Sequence, residues 1–433
     1  MGRYEAYKNS GVEWIGEIPK GWSLNRAKTV FTARRTKGNT ELVQLAATQD
    51  RGMIPQSQLD SVVQVSEDAD LTQFRTVRRN DFVISLRSFQ GGFELSEYEG
   101  VCSPAYQVFY GNSTICTSYF KYLFKSDAFI SKMNSLTVGI REGKNIQFQD
   151  FANSVLAFPT RVEQQAIADY LDVKTAEIDA LVADCEREVG LLQEYRKSLI
   201  TEVMTKGLNP TVPMYDSGIE SVGLVPEGWR VYKLRWLCSF HNGDRGANYP
   251  SAGDFQDSGI PFYGADALVE DIVDSKQARF ITRERYNSMG GLKIQAFDTL
   301  YTLRGSTIGK NAIAIDPEGT VASSLIGIRV RNLQDIDPWY LHYWLNSYQE
   351  YQQRDACING STAPNLSAED VAQYRIALPP RELQDEMVKA IRARIVYADS
   401  LISDKQHMVD KLREYRRALI SEAVTGKFKV PGV

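Results

Sequence analysis

The chain has 433 residues, 43% hydrophobic and 24% charged, which describes a water-soluble globular protein with length for two or three domains. Its N-terminus lacks the apolar core of a signal peptide, and no apolar run reaches membrane-spanning length. The five cysteines form no Cys-x-x-Cys pair and fit free thiols in a reducing cytoplasm. A net charge of -4 without any basic block means that nucleic-acid binding has to rest on local clusters.

The opening segment is Ser10-Gly-Val-Glu-Trp-Ile-Gly-Glu-Ile-Pro-Lys-Gly-Trp22. An acid-free stretch follows from Lys20 to Thr40, carrying Arg34, Arg35 and Lys37, and a second basic cluster holds Arg75, Arg78 and Arg79. Asp81-Phe-Val-Ile-Ser-Leu-Arg87 alternates as a strand does, and Ser88 and Gln90 continue beyond it. A short helix is expected over Tyr119–Phe124 and a short strand over Val155–Pro159.

From Arg161 to about Met204 there is no proline and one glycine, Gly190. Apolar residues recur at three and four: Ile167, Leu171, Ile178, Leu181, Cys185, Leu192, Tyr195 and Leu199. That spacing predicts a long amphipathic helix in need of a partner helix, with Tyr195 on the seam. At 1.5 Å per residue it makes a rod on the order of 65 Å.

The chain then starts again. Ser217-Gly-Ile-Glu-Ser-Val-Gly-Leu-Val-Pro-Glu-Gly-Trp229 repeats the opening 207 residues on. Basic and amide residues return at Arg245, Asn248, Arg279, Arg283 and Arg285, and Asp298-Thr-Leu-Tyr-Thr-Leu-Arg304 repeats the strand. Gly305-Ser-Thr-Ile-Gly-Lys-Asn311 holds Ser306, Thr307 and Lys310; its glycine spacing is too short for a phosphate loop and reads as a polar turn. A second short helix (Tyr340–Leu345), short strand (Arg375–Pro379) and long helix (Arg381 to about Val424, Tyr415 on the seam) complete the copy. The second helix repeats the first at 220 residues, so Leu192–Glu202 returns as Leu412–Glu422.

These elements predict an α+β (mixed α/β) chain with two duplicated modules, residues 1–157 and 211–377, each followed by a helical segment, 158–210 and 378–433. The helices are expected to pair antiparallel as a coiled-coil spacer, relating the modules by a pseudo-twofold axis. Trp22 and Trp229 read as core anchors. Three scattered histidines exclude a His-based metal site or a Ser-His-Asp triad, and Glu142-Gly-Lys144 is too slight to make a nuclease.

The Pro-x-Gly-Trp openings, Leu378-Pro-Pro-Arg-Glu-Leu-Gln384 and the terminal Glu414-Tyr-Arg-Arg-Ala-Leu-Ile-Ser-Glu-Ala-Val-Thr-Gly-Lys427 resemble the specificity subunits of type I restriction–modification enzymes. Gly360–Leu366 resembles a loop near the end of that family's recognition domains, from which the first copy departs at Gly143–Ile146. The resemblance implies two target recognition domains reading the halves of an asymmetric DNA site. It also implies docking of methyltransferase subunits, two of them, and of restriction subunits. S-adenosylmethionine would belong to the methyltransferase, ATP and magnesium to the restriction subunit, and no cofactor or active site to this chain, which would work in the cytoplasm. The expected DNA contacts are Arg34, Arg35, Lys37, Arg75, Arg78, Arg79, Arg87, Ser88 and Gln90 in the first copy. In the second they are Arg245, Asn248, Arg279, Arg283, Arg285, Arg304, Ser306, Thr307 and Lys310. Arginine can hold guanine bidentately, lysine can neutralise phosphate, and Gln or Asn can read adenine. The competing reading is a duplicated, non-enzymatic protein-interaction scaffold.

Overall fold

The structure is a computed structural model that describes all residues except 1, 39–40, 49–50, 60–70, 86–91, 137–145, 270, 317 and 359–364. The chain forms two compact units, Met1–Glu186 with His407–Val433, and Arg187–Gln406. The two long helices, Arg161–Lys206 and Arg381–Val424, are each shared between the units. Among the described residues no helix is long and apolar enough to cross a membrane.

Both long helices form where the sequence places them, and both stop for the same reason. Gly207 (φ 73°) and Gly426 (φ 72°) take the left-handed conformation that closes a helix C-terminus at no steric cost. A Cβ on Gly426 would lie 2.5 Å from Pro19 and 3.0 Å from Trp22, and one on Gly207 would lie 3.3 Å from Trp229. The Gly-Trp openings are thus the seats on which the long helices end. Trp22 and Trp229 are buried as expected, and the Trp22 indole also donates to Glu163 at 2.9 Å.

The helix starts are fastened by a buried glutamine in each copy. Gln164 accepts from the Cys116 amide (2.7 Å) and donates to the Pro159 carbonyl (3.0 Å). Gln384, 220 residues on, accepts from the Asp337 amide (2.9 Å) and donates to the Pro379 carbonyl (3.0 Å). Each glutamine joins the first turn of its long helix to the N-terminus of a short module helix, Thr117–Leu123 or Pro338–Leu345.

In the first unit the main sheet runs Phe31–Arg34, Gln107–Gly111, Phe82–Ile84, Glu94–Leu95, all antiparallel. In the second, Cys238–Asn242, Leu325–Val330, Thr299–Thr302 and Asn311–Ile313 follow the same order, and Ile272–Val273 and Leu268–Val269 extend it. The opening and closing segments pair in both copies, Ser23–Arg26 with Val155–Phe158 and Arg230–Lys233 with Arg375–Leu378. The fold is therefore α+β with a duplicated module. The interiors differ: Phe31, Phe82, Phe93, Phe109, Phe124 and Phe151 fill the first core, while Tyr301, Tyr340, Tyr343 and Trp344 with aliphatic neighbours fill the second.

Within each unit the helical segments run antiparallel. In the first, Ile167, Leu171 and Ile178 share a core with Leu419, Ile420 and Ala423, and Arg416 and Arg413 reach Asp179 (2.8 Å) and Glu186 (2.6 Å). In the second, Ile200 and Val203 share a core with Ile391 and Ile395, with Arg196–Asp399 (2.7 Å) and Lys405–Glu188 (2.6 Å) beside them. The seam departs from the heptad expectation at Leu181, Tyr195 and Tyr415, which are exposed. Ion pairs hold the helices together along these stretches, so the larger side chains turn to solvent.

Candidate nucleic-acid interface

Strand register sets which polar side chains share one end of each sheet. In the second unit Asn242 lies opposite Ile326, which lies opposite Tyr301, so the strands Cys238–Asn242 and Thr299–Thr302 leave the sheet at the same end. Arg245 follows the first and Arg304 the second. The Arg245 guanidinium donates to the Ser323 carbonyl (3.2 Å), and Arg304 bridges to Asn365 through its backbone. Ser306, Thr307 and Lys310 belong to the turn that returns into Asn311–Ile313, so five of the expected residues gather, all exposed, on this rim.

The rim is stiffened from beneath. Gly305 (φ 84°) and Gly309 (φ 87°) shape the turn, and Arg354 donates to the Ile308 carbonyl at 2.9 Å in the space a Cβ on Gly309 would need. Asp244, buried, accepts from the amides of Gly246 (2.6 Å) and Gly290 (2.9 Å) and so fixes the loop that carries Arg245. Those backbone hydrogen bonds hold its carboxyl below the usual carboxylate range. The polar-turn reading of Gly305–Asn311 stands.

The remaining expected residues of the second copy lie elsewhere. Arg279 belongs to a four-stranded sheet of Phe255–Gln256, Arg279–Ile281, Ile260–Tyr263 and Thr320–Val321, and rests on the Phe255 ring at 4.0 Å. Arg283 is held by Glu318 and Arg285 by Asp254 (2.7 Å), while the Asn248 side chain donates to the Ser288 carbonyl (2.8 Å). Two arginines of this group are thus occupied by carboxylates that a phosphate would have to displace.

In the first unit Arg34 ends the strand Phe31–Arg34, and its guanidinium makes two hydrogen bonds to buried Asp81 (2.5 and 2.8 Å) while lying 4.5 Å from the Tyr110 ring centre. Arg35 and Lys37 continue beyond this strand end and are exposed, and Lys37 bridges to Arg75 through the backbone. Arg75 donates to the Pro104 carbonyl at 3.0 Å. Arg78 and Arg79 are exposed on the turn that precedes Phe82–Ile84. That strand leaves the sheet at the Arg34 end, because Ile84 faces Gln107 and Arg34 faces Val108. Arg87, Ser88 and Gln90 lie outside the described residues, as do Glu142-Gly-Lys144 and most of Gly360–Leu366.

Sequence reasoning missed Arg329, which holds buried Asp298 as Arg34 holds Asp81, and Arg354 and Asp244 beneath the rim. A signal existed: Asp81 and Asp298 head the two aligned strands and are followed only by apolar residues and small polar ones.

The duplicated modules thus share one frame, each joined to long helices, and carry unlike cationic residues at their sheet rims. Residues 226–401 match the model of the type I restriction modification DNA specificity domain. The specificity subunit of the type I restriction enzyme EcoBI of Escherichia coli is 22% identical over 305 residues, covering 69% of this chain and 63% of that subunit's length. The EcoKI specificity subunit of Escherichia coli strain K12 is 20% identical over 344 residues, covering 76% of this chain and 68% of the relative. A solved structure describing complex assembly and conformational transition of a type I restriction–modification system is similar over 94% of this chain and 98% of its own, with a TM-score of 0.59 and 17% identity. The chain is thus similar in sequence to type I restriction–modification specificity subunits, and residues 226–401 carry the domain match.

Proposed function

We propose that this protein is the non-catalytic DNA-specificity subunit of a type I restriction–modification system. Each module reads one half of a bipartite, asymmetric site on double-stranded DNA. The observation that carries this reading is the repeated sheet with unlike side chains at its rim: Arg35 and Lys37 at the strand ends in one copy, Arg245, Arg304, Thr307 and Lys310 in the other. One frame with two different tips suits two unlike half-sites, whereas a symmetric dimer would read a palindrome.

Half-sites on successive turns of DNA lie about 34 Å apart, so the readers need a stiff connection. Under this proposal the helices of 46 and 44 residues serve as that connection, a role a glycine-serine linker would not fill. In this reading the chain docks two methyltransferase subunits on its helical region and associates with restriction subunits. S-adenosylmethionine, ATP and magnesium are held by those partners, and the assembly acts in the cytoplasm.

Mapping adenine methylation in a host with and without this gene tests the proposal. A bipartite motif modified only in the gene's presence is the expected result. The same motif in both hosts would remove the specificity role.

A further inference from the structure

We propose that Arg196 is a positioning residue that locks the second module at a fixed angle on its helices, and so restricts the spacer length the complex accepts. This rests on the DNA-reading function above, and the experiment separates the two.

Arg196 lies on the first long helix with its side chain 18% exposed. Its Nη2 is 2.6 Å from Asp271 and its Nε 2.7 Å from Asp399. Asp399 belongs to the second long helix. Asp271 belongs to the module, between the strands Leu268–Val269 and Ile272–Val273. Asp271 also receives the Tyr343 hydroxyl (2.9 Å) and faces His342 Nε2 (3.1 Å), both from the module helix Pro338–Leu345. One planar guanidinium therefore joins both long helices and the module sheet, and a lysine ammonium lacks the fork that does so. Burial alone would raise the Asp271 carboxyl, but His342 and Arg196 outweigh it and hold it below the usual carboxylate range.

The first unit shows that this junction is an addition to the common frame. Arg416 and Asp179 stand 220 residues from Arg196 and Asp399 and form the same helix-to-helix ion pair, at 2.8 Å. Among the described residues no module carboxylate joins that pair. The equivalent module tyrosine, Tyr122, donates to Asp172 of the long helix at 2.6 Å, where the second copy has Arg392, which Tyr343 meets beside Asp271. Among the described residues, a module carboxylate shared with this helix-to-helix ion pair is found in the second unit alone.

The test uses the full chain carrying one spin label on Cys357, the exposed native cysteine of the second module, and another on Ser403→Cys of the second long helix. Pulsed electron–electron distances should be narrow in the parent. Arg196→Met and Asp271→Asn should broaden them, and Arg196→Lys should not restore the width. Should Arg196→Met fail to fold, Asp271→Asn carries the test, because the amide oxygen still accepts from Tyr343. In complex with methyltransferase subunits, methylation is then measured on duplexes whose spacer is one base pair shorter or longer than the parent site. The variants should raise these rates relative to the parent spacing by tenfold or more, with the half-site bases unchanged. Unbroadened distances, or an unaltered spacer preference in a folded variant, overturn the lock. A parent complex that methylates no bipartite duplex overturns the DNA reading instead, and the distance measurement still decides the lock.

Discussion

Asp81 and Asp298 are one residue used twice. Each follows a non-glycine residue in the left-handed region, Asn80 (φ 70°) or Phe297 (φ 69°), and heads a strand of the main sheet. Each accepts a backbone amide at 2.8 Å, from Arg78 or Gln295, and is gripped by two nitrogens of an arginine. The arginines differ in origin. Arg34 comes from the strand Phe31–Arg34, Arg329 from Leu325–Val330, which corresponds to Gln107–Gly111.

A buried charge stripped of its partner destabilises by about 3–5 kcal/mol. With Asp81 and Asp298 each at most 2% exposed, Arg34→Met and Arg329→Met should both fall at the lower end of that range, since amides continue to serve the carboxylates. Urea unfolding of the full chain measures this. A loss below about 0.5 kcal/mol for either variant would mean that the ion pair contributes little beyond the turn itself.

The glutamine staples make a second case. Gln384→Leu keeps the volume near that of the native side chain but leaves the Asp337 amide and the Pro379 carbonyl without their partner. Each orphaned buried group costs about 1–3 kcal/mol. The loss should exceed that of Gln373→Leu, whose half-buried amide meets the side chains of Glu369 (2.7 Å) and Lys233 (2.8 Å) on the same unit, when both are compared by thermal unfolding.

Glu350 supplies a pH dependence. Burial pushes its carboxyl up to about 7, while Arg354 and the Tyr301 hydroxyl pull the other way. Since the unfolded value is about 4.3, folding binds a proton here, and the stability linked to this group is greatest below that value. It declines as pH rises and is lost once the pH passes about 7. The loss is on the order of 2–3 kcal/mol between pH 5 and 8, and Glu350→Gln should not show it. Urea midpoints of parent and variant at the two pH values give the answer; parallel shifts would refute the assignment.

On DNA, Arg304→Ala and Arg245→Ala should each weaken binding of the methyltransferase complex about tenfold or more, as expected for loss of 1–3 kcal/mol per base contact or of one phosphate contact. Arg283→Ala should change it little, because Glu318 already holds that guanidinium. Binding isotherms over a range of salt separate the cases: a lost phosphate contact lowers the salt slope by about one. Equal effects at all three positions would dissolve the distinction between rim and side sheet.

The frame was legible in the sequence because its causes are local. Proline and glycine mark where Arg161–Lys206 and Arg381–Val424 begin and end, and apolar spacing of three and four shows that they are helices. The repeated Gly-Trp and the glutamine after Pro159 or Pro379 are contacts that both copies need, so they recur. The rim was half legible. Arg304 and Lys310 announce themselves as polar residues after a strand, but nothing local separates Arg34, spent on Asp81, from exposed Arg35 beside it. That difference depends on a carboxylate 47 residues away. Tyr195 and Tyr415 show the same limit, since an ion pair one residue on, at Arg196 or Arg416, replaces them at the helix contact.

Leu419, Ile420, Ala423 and Phe428 belong to the same core as Phe31 and Phe109. During synthesis the first module therefore waits, unfinished, while the second emerges, and it gains these inner side chains only once residues 419–428 have been made. Translation halted anywhere before those residues would leave the core around Phe31 and Phe109 uncovered.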